Sequence, residues 1–376
     1  MSSSAPRLLF TGALTLSLVA ACGGAPTASS EGEDDAAPDA TAQAEAAYEE
    51  INSLTGQERV DTLTAKAEEE GQLSIYTSNT DIDALADGFS DLYDVEVSIY
   101  RGNSESVLQR VLQEQEAGFY GNDLWEDNTT NLNLANEEGL LGGYEPARRD
   151  EVRDGGQQEN WTANRFTVFV VGWNTDLVAA GDQPTNLEEL AEPEWEGRVA
   201  MELGDIDWFA AMVEHYRGQG MSDDEIDEMF RRLAANSQVV KGHTVQGELL
   251  SAGQFDVAPS IYSHTVDKAA DKGAPVAWRS DSGGAVEPVI ARPNGAGVMR
   301  TAEHPYAAAL FMDYMLSDEG QAIISDGFRI GSIGSTGNDP LEGLEVIQLP
   351  EQELLDNPQE WEERYASILE GRPTTE

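Results

Sequence analysis

The sequence predicts an α/β fold built as two lobes in series, and three observations predict it. From Leu73 onward the chain repeats a short alternating strand, a polar turn and an amphipathic helix. The apolar run Phe166 to Trp173 (FTVFVVGW) has the length and continuity of a strand buried on both faces. After it, a second strand–helix alternation begins near Asn186.

Taken in order, Val60, Leu63 and Ala67 recur at helical spacing, and Gly71 can end that helix. Leu73-Ser74-Ile75-Tyr76 alternates as a strand and leads into Thr77-Ser78-Asn79-Thr80. Ile82, Leu85, Phe89 and Leu92 mark a helix, Val95, Val97 and Ile99 a strand, and Gly102-Asn103-Ser104 a turn. Val107, Leu108, Val111 and Leu112 mark the next helix. Asp123 to Asp127 reads as a weaker strand, and the Thr and Asn residues after it can cap a helix that stops at Gly139. In the second stretch, Asn186 to Ala191 is helical up to Pro193 and Arg198 to Met201 is a strand. Asp205 starts a helix with Trp208, Met212 and Tyr216, and Ser222-Asp223-Asp224-Glu225 forms a capping box. Val239-Val240 and Phe255 to Tyr262 are strands around a helix near Leu249, and Val276 to Trp278 and Glu287 to Ala291 close the set. Pro305 opens a helix, where Pro is favoured, and Ser317 caps another. Residues 335–376 read as loop-rich, with a terminal helix carrying Trp361, Tyr365 and Leu369.

The N-terminus has its own pattern. Arg7 precedes a mostly apolar run, Leu8 to Ala21, that ends in small residues, which is the layout of a secretory signal peptide. Val19-Ala20-Ala21-Cys22 resembles the lipobox of bacterial lipoproteins, which implies lipid attachment at Cys22, the only cysteine. Residues 1–22 are then the signal, and residues 23–52 an acidic, disordered tether poor in core-forming side chains. The expected location is the outer face of a membrane.

Composition excludes several function classes. The chain has 376 residues and 40% hydrophobic content, enough for two ordinary lobes without disulfides. One cysteine, at the signal's end, rules out zinc-finger, iron–sulfur and thiol-catalytic sites. Against 70 Asp and Glu stand only 22 Lys and Arg, a net charge of −48 that repels nucleic acid. Nucleophile-elbow, Walker A, zincin and calcium-loop patterns are absent, and the four histidines (His215, His243, His264 and His304) are far apart in sequence. Nothing local supports an enzyme, and no cofactor is implied.

Four further segments, in order, carry a resemblance. They are the strand Leu73–Tyr76 with Thr77-Ser78-Asn79, and the turn Tyr100-Arg101-Gly102-Asn103-Ser104-Glu105. The third is Leu187-Glu188-Glu189-Leu190 with Pro193-Glu194-Trp195-Glu196-Gly197-Arg198. The fourth joins His304-Pro305-Tyr306-Ala307-Ala308-Ala309 to Leu316-Ser317-Asp318-Glu319-Gly320-Gln321. Together they resemble the extracellular solute-binding proteins of ABC importers, near the ferric-iron-binding branch. The resemblance implies a two-lobed type II periplasmic-binding-protein-like fold with a ligand cleft between the lobes and a crossover-strand hinge. It divides the chain into lobe 1 (residues 53–172 and 285–334), lobe 2 (173–284) and a C-terminal segment packing on both (335–376). Hinge positions are expected near Gly172-Trp173-Asn174 and Gly283-Gly284.

The resemblance implies ligand contacts at Thr77, Ser78 and Asn79 and fits Asn103 and Ser104, while Asp127 and Asn128 form a third polar turn of lobe 1. At each turn a plain helix cap is the alternative. From lobe 2 the resemblance implies Tyr262, Ser263 and His264. Ferric-binding relatives commonly carry adjacent tyrosines at that position, whereas here Ser263 follows Tyr262. Two cargoes stay open: a metal, through Tyr262 and His264 with or without an accompanying anion, or an organic anion such as a carboxylate, phosphonate or sugar phosphate. The expected partners are the solute, a permease–ATPase complex and the membrane through the lipid, with the protein itself a monomer. A sensory lipoprotein of the same fold and a secreted α/β hydrolase are the alternatives.

Overall fold

The computed structural model describes residues 40–334 and 339–370 and the backbone of residues 374–375. The signal segment, Cys22 and residues 335–338 lie outside the described residues.

The strands are β1 (Gln72–Thr77), β2 (Glu96–Arg101), β3 (Leu124–Asn128), β4 (Thr162–Asn174), β5 (Val199–Glu202), β6 (Ser237–Val240) and β7 (Val257–Tyr262). They continue with β8 (Val276–Ala277), β9 (Val289–Val298), β10 (Ile330–Gly331), β11 (Val346–Gln348) and β12 (Thr374–Thr375). Helices α1 (Ala40–Asn52), α2 (Gly56–Glu70), α3 (Ile82–Leu92), α4 (Ser104–Glu116) and α5 (Thr129–Glu137) accompany the first strands. Helices α6 (Ile206–Gly218), α7 (Asp223–Ala235), α8 (His243–Ser251) and α9 (Ser263–Asp271) accompany β5 to β7. Helices α10 (Pro305–Met315) and α11 (Asp318–Asp326) return to α2 and α3, and α12 (Glu351–Asp356) and α13 (Pro358–Leu369) follow.

One sheet runs through the molecule in the order β12-β6-β5-β7-β4-β9-β3-β1-β2. Its two ends are parallel, β1 beside β2 and β3, and β5 beside β6 and β7. The middle is antiparallel: β4 pairs β9 from Thr162 opposite Ala296 to Phe169 opposite Ile290, and β4 then pairs β7. These two long strands are the crossovers that join the halves. All of β4 is buried, which explains its uninterrupted apolar run. A side chain at Gly295 would collide with the Thr162 carbonyl, so glycine is what lets β9 lie this close to β4. The type II, two-lobed architecture follows from this sheet.

Helices cover both faces. Leu73, Ile75, Phe89, Trp125 and Phe311 centre one core, which extends under α8 and α9. Phe209, Phe230, Trp361 and Tyr365 centre the other, with Phe209 and Phe230 edge to face at 4.8 Å. Helix α13 packs on α6 and α7 while β11 pairs β9, so the C-terminal segment touches both halves.

Several expectations are corrected. The tether does not extend to residue 52, because Ala40–Asn52 forms α1 and buries Ala44, Ala47, Tyr48 and Ile51. Those four fall on one helical face, a spacing too sparse in apolar residues to stand out beside Ala-rich disorder. Asn186–Ala191 is only a 3₁₀ turn over Glu188–Ala191, cut short by Pro193. The last long strand is Val289–Val298, running past Ala291 through Asn294 and Gly295. Gly283 and Gly284 sit at the exposed tip of a turn closed by the Arg279–Ala285 bridge, away from the crossovers. The Ser222–Glu225 capping box and the Ser317 cap form as expected.

The α1 correction is testable. Tyr48 is 2% exposed and donates to the Met299 carbonyl at 2.9 Å. Urea denaturation of Tyr48→Ala should show a loss of about 3–5 kcal/mol, the usual cost of deleting a buried aromatic. An unchanged midpoint would return these residues to the tether.

Candidate functional site

In α/β sheets ligands gather at the C-terminal ends of parallel strands. On the first half the turns after β1 and β3 meet there, and a buried carboxylate organises them. Glu126 is fully buried and pairs with Nη1 of Arg165 on β4. It also accepts from Thr77 Oγ1 at 2.7 Å, Asn79 Nδ2 at 3.2 Å and Asn164 Nδ2 at 2.8 Å. Thr77 and Asn79 are therefore buried and engaged with Glu126. Ser78, partly accessible, donates to Asp127 Oδ1 at 2.8 Å. Asp127 is buried and also accepts from Trp125 Nε1 and Asn131 Nδ2. Asn103 and Asn128 cap α4 and α5 through the amides of Ser106 and Asn131, and the Ser104 carbonyl accepts from Asn131 Nδ2. The first-half residues thus hold one another and the helix starts.

On the second half Tyr262 ends β7, and Ser263 and His264 begin α9. The Tyr262 ring stacks on His243 at 3.6 Å and near His264 at 5.4 Å. Its phenol oxygen accepts from Arg292 Nη2 at 3.0 Å, and Arg292 Nη1 reaches Asp207 at 3.0 Å. Burial pushes the Tyr262 hydroxyl up to about 12 despite the opposing pull of Arg292. Ser263 is buried. Burial, then the charges of Arg329, Lys268 and Arg165, hold His264 well below the usual imidazole range, so it is neutral at pH 7.

Between the halves lies a cavity of about 680 Å³, lined by Asn79, Asp81, Arg165, Phe328 and Arg329 from the first and Lys268 from the second. Lys268 Nζ reaches both Asp81 oxygens at 2.7 and 2.8 Å, and Arg329 Nε reaches Asp81 Oδ2 at 2.8 Å. Burial alone would push the Asp81 carboxyl up, but Arg329 and Lys268 together hold it below its ordinary value. Arg329 itself is pushed down, first by burial and then by the neighbouring Arg165. The Arg165 side chain is 3% exposed, and its Nε has no hydrogen-bond partner. Four basic side chains, Arg165, Lys268, Lys272 and Arg329, thus line the cavity beside three acids, Asp81, Asp83 and Asp326. Sequence reasoning missed Asp81, Arg165, Lys268, Arg292 and Arg329. One signal was present: Arg165 borders the most apolar run of a chain with only 22 basic residues.

The Asp81–Lys268 bridge spans the halves, so Asp81→Asn should shift small-angle scattering toward a more open form. Because the folded carboxyl lies below its unfolded value of about 3.9, the bridge's stability contribution is complete above that pH. It is lost as pH falls through the folded value. The stability difference between wild type and Asp81→Asn should be flat above about pH 4 and shrink below it.

A family model described as bacterial extracellular solute-binding protein matches residues 132–341. Iron uptake protein A2 of Synechocystis sp. is 25% identical over 275 residues, covering 68% of this chain and 76% of that protein. Iron-bound HitA from Pseudomonas aeruginosa superposes with a TM-score of 0.65 at 19% identity, covering 79% of this chain and 99% of that one. The periplasmic binding protein AfuA from Actinobacillus pleuropneumoniae, with exogenous fructose-6-phosphate bound, superposes at 0.67 and 19% identity, covering 80% and 99%.

Proposed function

This chain belongs to the bacterial extracellular solute-binding protein family, and on that premise we propose that its cargo is a small organic anion held in the cationic cleft. The protein is the extracytoplasmic solute-binding component of an ABC importer, and it is not an enzyme. The observation that carries the cargo assignment is Arg165, buried, lining the cavity and holding an unpartnered Nε beside Arg329 and Lys268. A buried donor without an acceptor costs about 1–3 kcal/mol, and an anionic oxygen placed there supplies the acceptor and relieves the Arg165–Arg329 repulsion. Carboxylates, phosphonates and phosphate esters all offer such oxygens, and a cavity of this volume accepts a small one.

In this reading capture proceeds by closure. Lys268 comes from the second half and Arg165 and Arg329 from the first, so an anion touching all three favours the closed form. Lipid at Cys22, with the polar residues after it as a leash, keeps the protein near the permease, and it works as a monomer. The second reading, a ferric ion, rests on the names of curated relatives and on Tyr262. It is the weaker of the two, because the Tyr262 oxygen is occupied by Arg292 and its proton is held tightly.

Calorimetric titration of the full chain with a panel of carboxylates, phosphonates and sugar phosphates should find at least one tight ligand. Lys268→Gln should weaken it roughly ten- to hundredfold, the value of one charge-assisted hydrogen bond. If no anion binds, while ferric ion gives a visible phenolate band that Tyr262→Phe abolishes, the ferric reading replaces this one.

A further inference from the structure

A second cluster lies behind Tyr262, and no residue of it lines the cleft cavity. Glu202 ends β5, Asp205 precedes α6 and His243 begins α8, so the β5–α6 connection supplies two side chains and the β6–α8 connection the third. One donor atom from each residue lies within 4.8 Å of the other two. Asp205 Oδ1 sits 2.8 Å from His243 Nε2. Glu202 is fixed by two backbone amides, Gly242 N at 2.7 Å and Gly204 N at 2.5 Å. Its main chain is fixed too, since the Tyr365 hydroxyl donates to the Glu202 carbonyl at 2.6 Å.

Two atoms in this cluster are buried without a hydrogen-bond partner, Asp205 Oδ2 and His243 Nδ1. Asp205 is only 3% exposed, so its free oxygen is withheld from bulk water. The charges do not balance either. Two enclosed carboxylates face one imidazole, and Arg292, which lies against Tyr262, is already committed to Asp207 and Tyr262. A buried carboxylate oxygen left without a partner is costly, and a bound cation is one remedy.

We infer that Glu202, Asp205 and His243 form a binding site for one divalent transition-metal ion of the Zn²⁺ or Co²⁺ type. One imidazole and two carboxylates are a donor set suited to such ions, whereas calcium takes six to eight oxygens. The ion joins the β5–α6 connection to the start of α8 and so fixes His243, on which Tyr262 stacks. The site is separate from the proposed anion cleft and from the Tyr262–His264 pair.

The test uses the full chain, stripped with a chelator and then titrated with Zn²⁺ or Co²⁺. Native mass spectrometry should show one ion per chain, Co²⁺ should give a visible ligand-field spectrum, and the melting temperature should rise with metal concentration. His243→Gln and Asp205→Asn should each weaken binding about tenfold or more, while Lys268→Gln leaves metal binding intact and weakens only anion binding. His243 is partly exposed at the surface of the cluster, so His243→Gln decides the matter if Asp205→Asn fails to fold. Absence of Zn²⁺ and Co²⁺ uptake by the wild-type chain, or uptake by His243→Gln equal to wild type, overturns the site. Either result leaves the anion assignment standing, because that is read from Lys268→Gln and the anion titration.

Discussion

The buried pair of Glu126 and Arg165 is the constraint on which the cleft depends. It places opposite charges inside β3 and β4, two strands with almost no access to water. Burying such a pair is repaid only when further hydrogen bonds satisfy the groups around it. Here Thr77, Asn79 and Asn164 complete the carboxylate, which ties the ends of β1, β3 and β4 into one rigid floor. Arg165 Nη1 is spent on this floor, and its Nε is the atom left over. The same interaction therefore fixes the fold locally and leaves Arg165 Nε without a partner.

Charge distribution gives that donor its context. Across the chain acids outnumber bases by 70 to 22, yet Arg165, Arg329 and Lys268 meet at one crevice. A low-dielectric cleft focuses such a local field even when the whole surface is negative. The bridge from Asp81 to Lys268 is partly exposed, and exposed pairs contribute little. A contact of that strength suits the closure proposed above, because it would bias a closed form without locking it.

Much of the fold was legible because helices and strands announce themselves by local period. The capping box at Ser222, the Pro305 helix start and the buried run of β4 depend on neighbours in sequence, and they formed accordingly. Where reading failed, a distant partner decided the outcome. Asp123 to Asp127 looked poor as a strand because it carries three acids. Asp123 is satisfied by Ser74 N and His304 N, and Glu126 by Arg165, so acids that would break an isolated strand stabilise this one. Helix α1 was hidden for the converse reason, since its apolar face has meaning only against Met299 and the core it covers.

By itself the sequence determined the class of the protein: alternating strands and helices, the crossover run and the ordered motifs specify a two-lobed binding fold. It also nominated polar turns at the strand ends, of which only Asn79 lines the cavity. Only the tertiary structure decided what those turns do there. Thr77 and Asn79 support Glu126, and the cations that reach the cavity come from β4, α9 and the segment after α11, far apart in the chain. The physical reason is that a hydrogen bond or ion pair is assigned by proximity in space. Spacing along the chain can nominate a polar side chain, but only packing shows which of its atoms remain free.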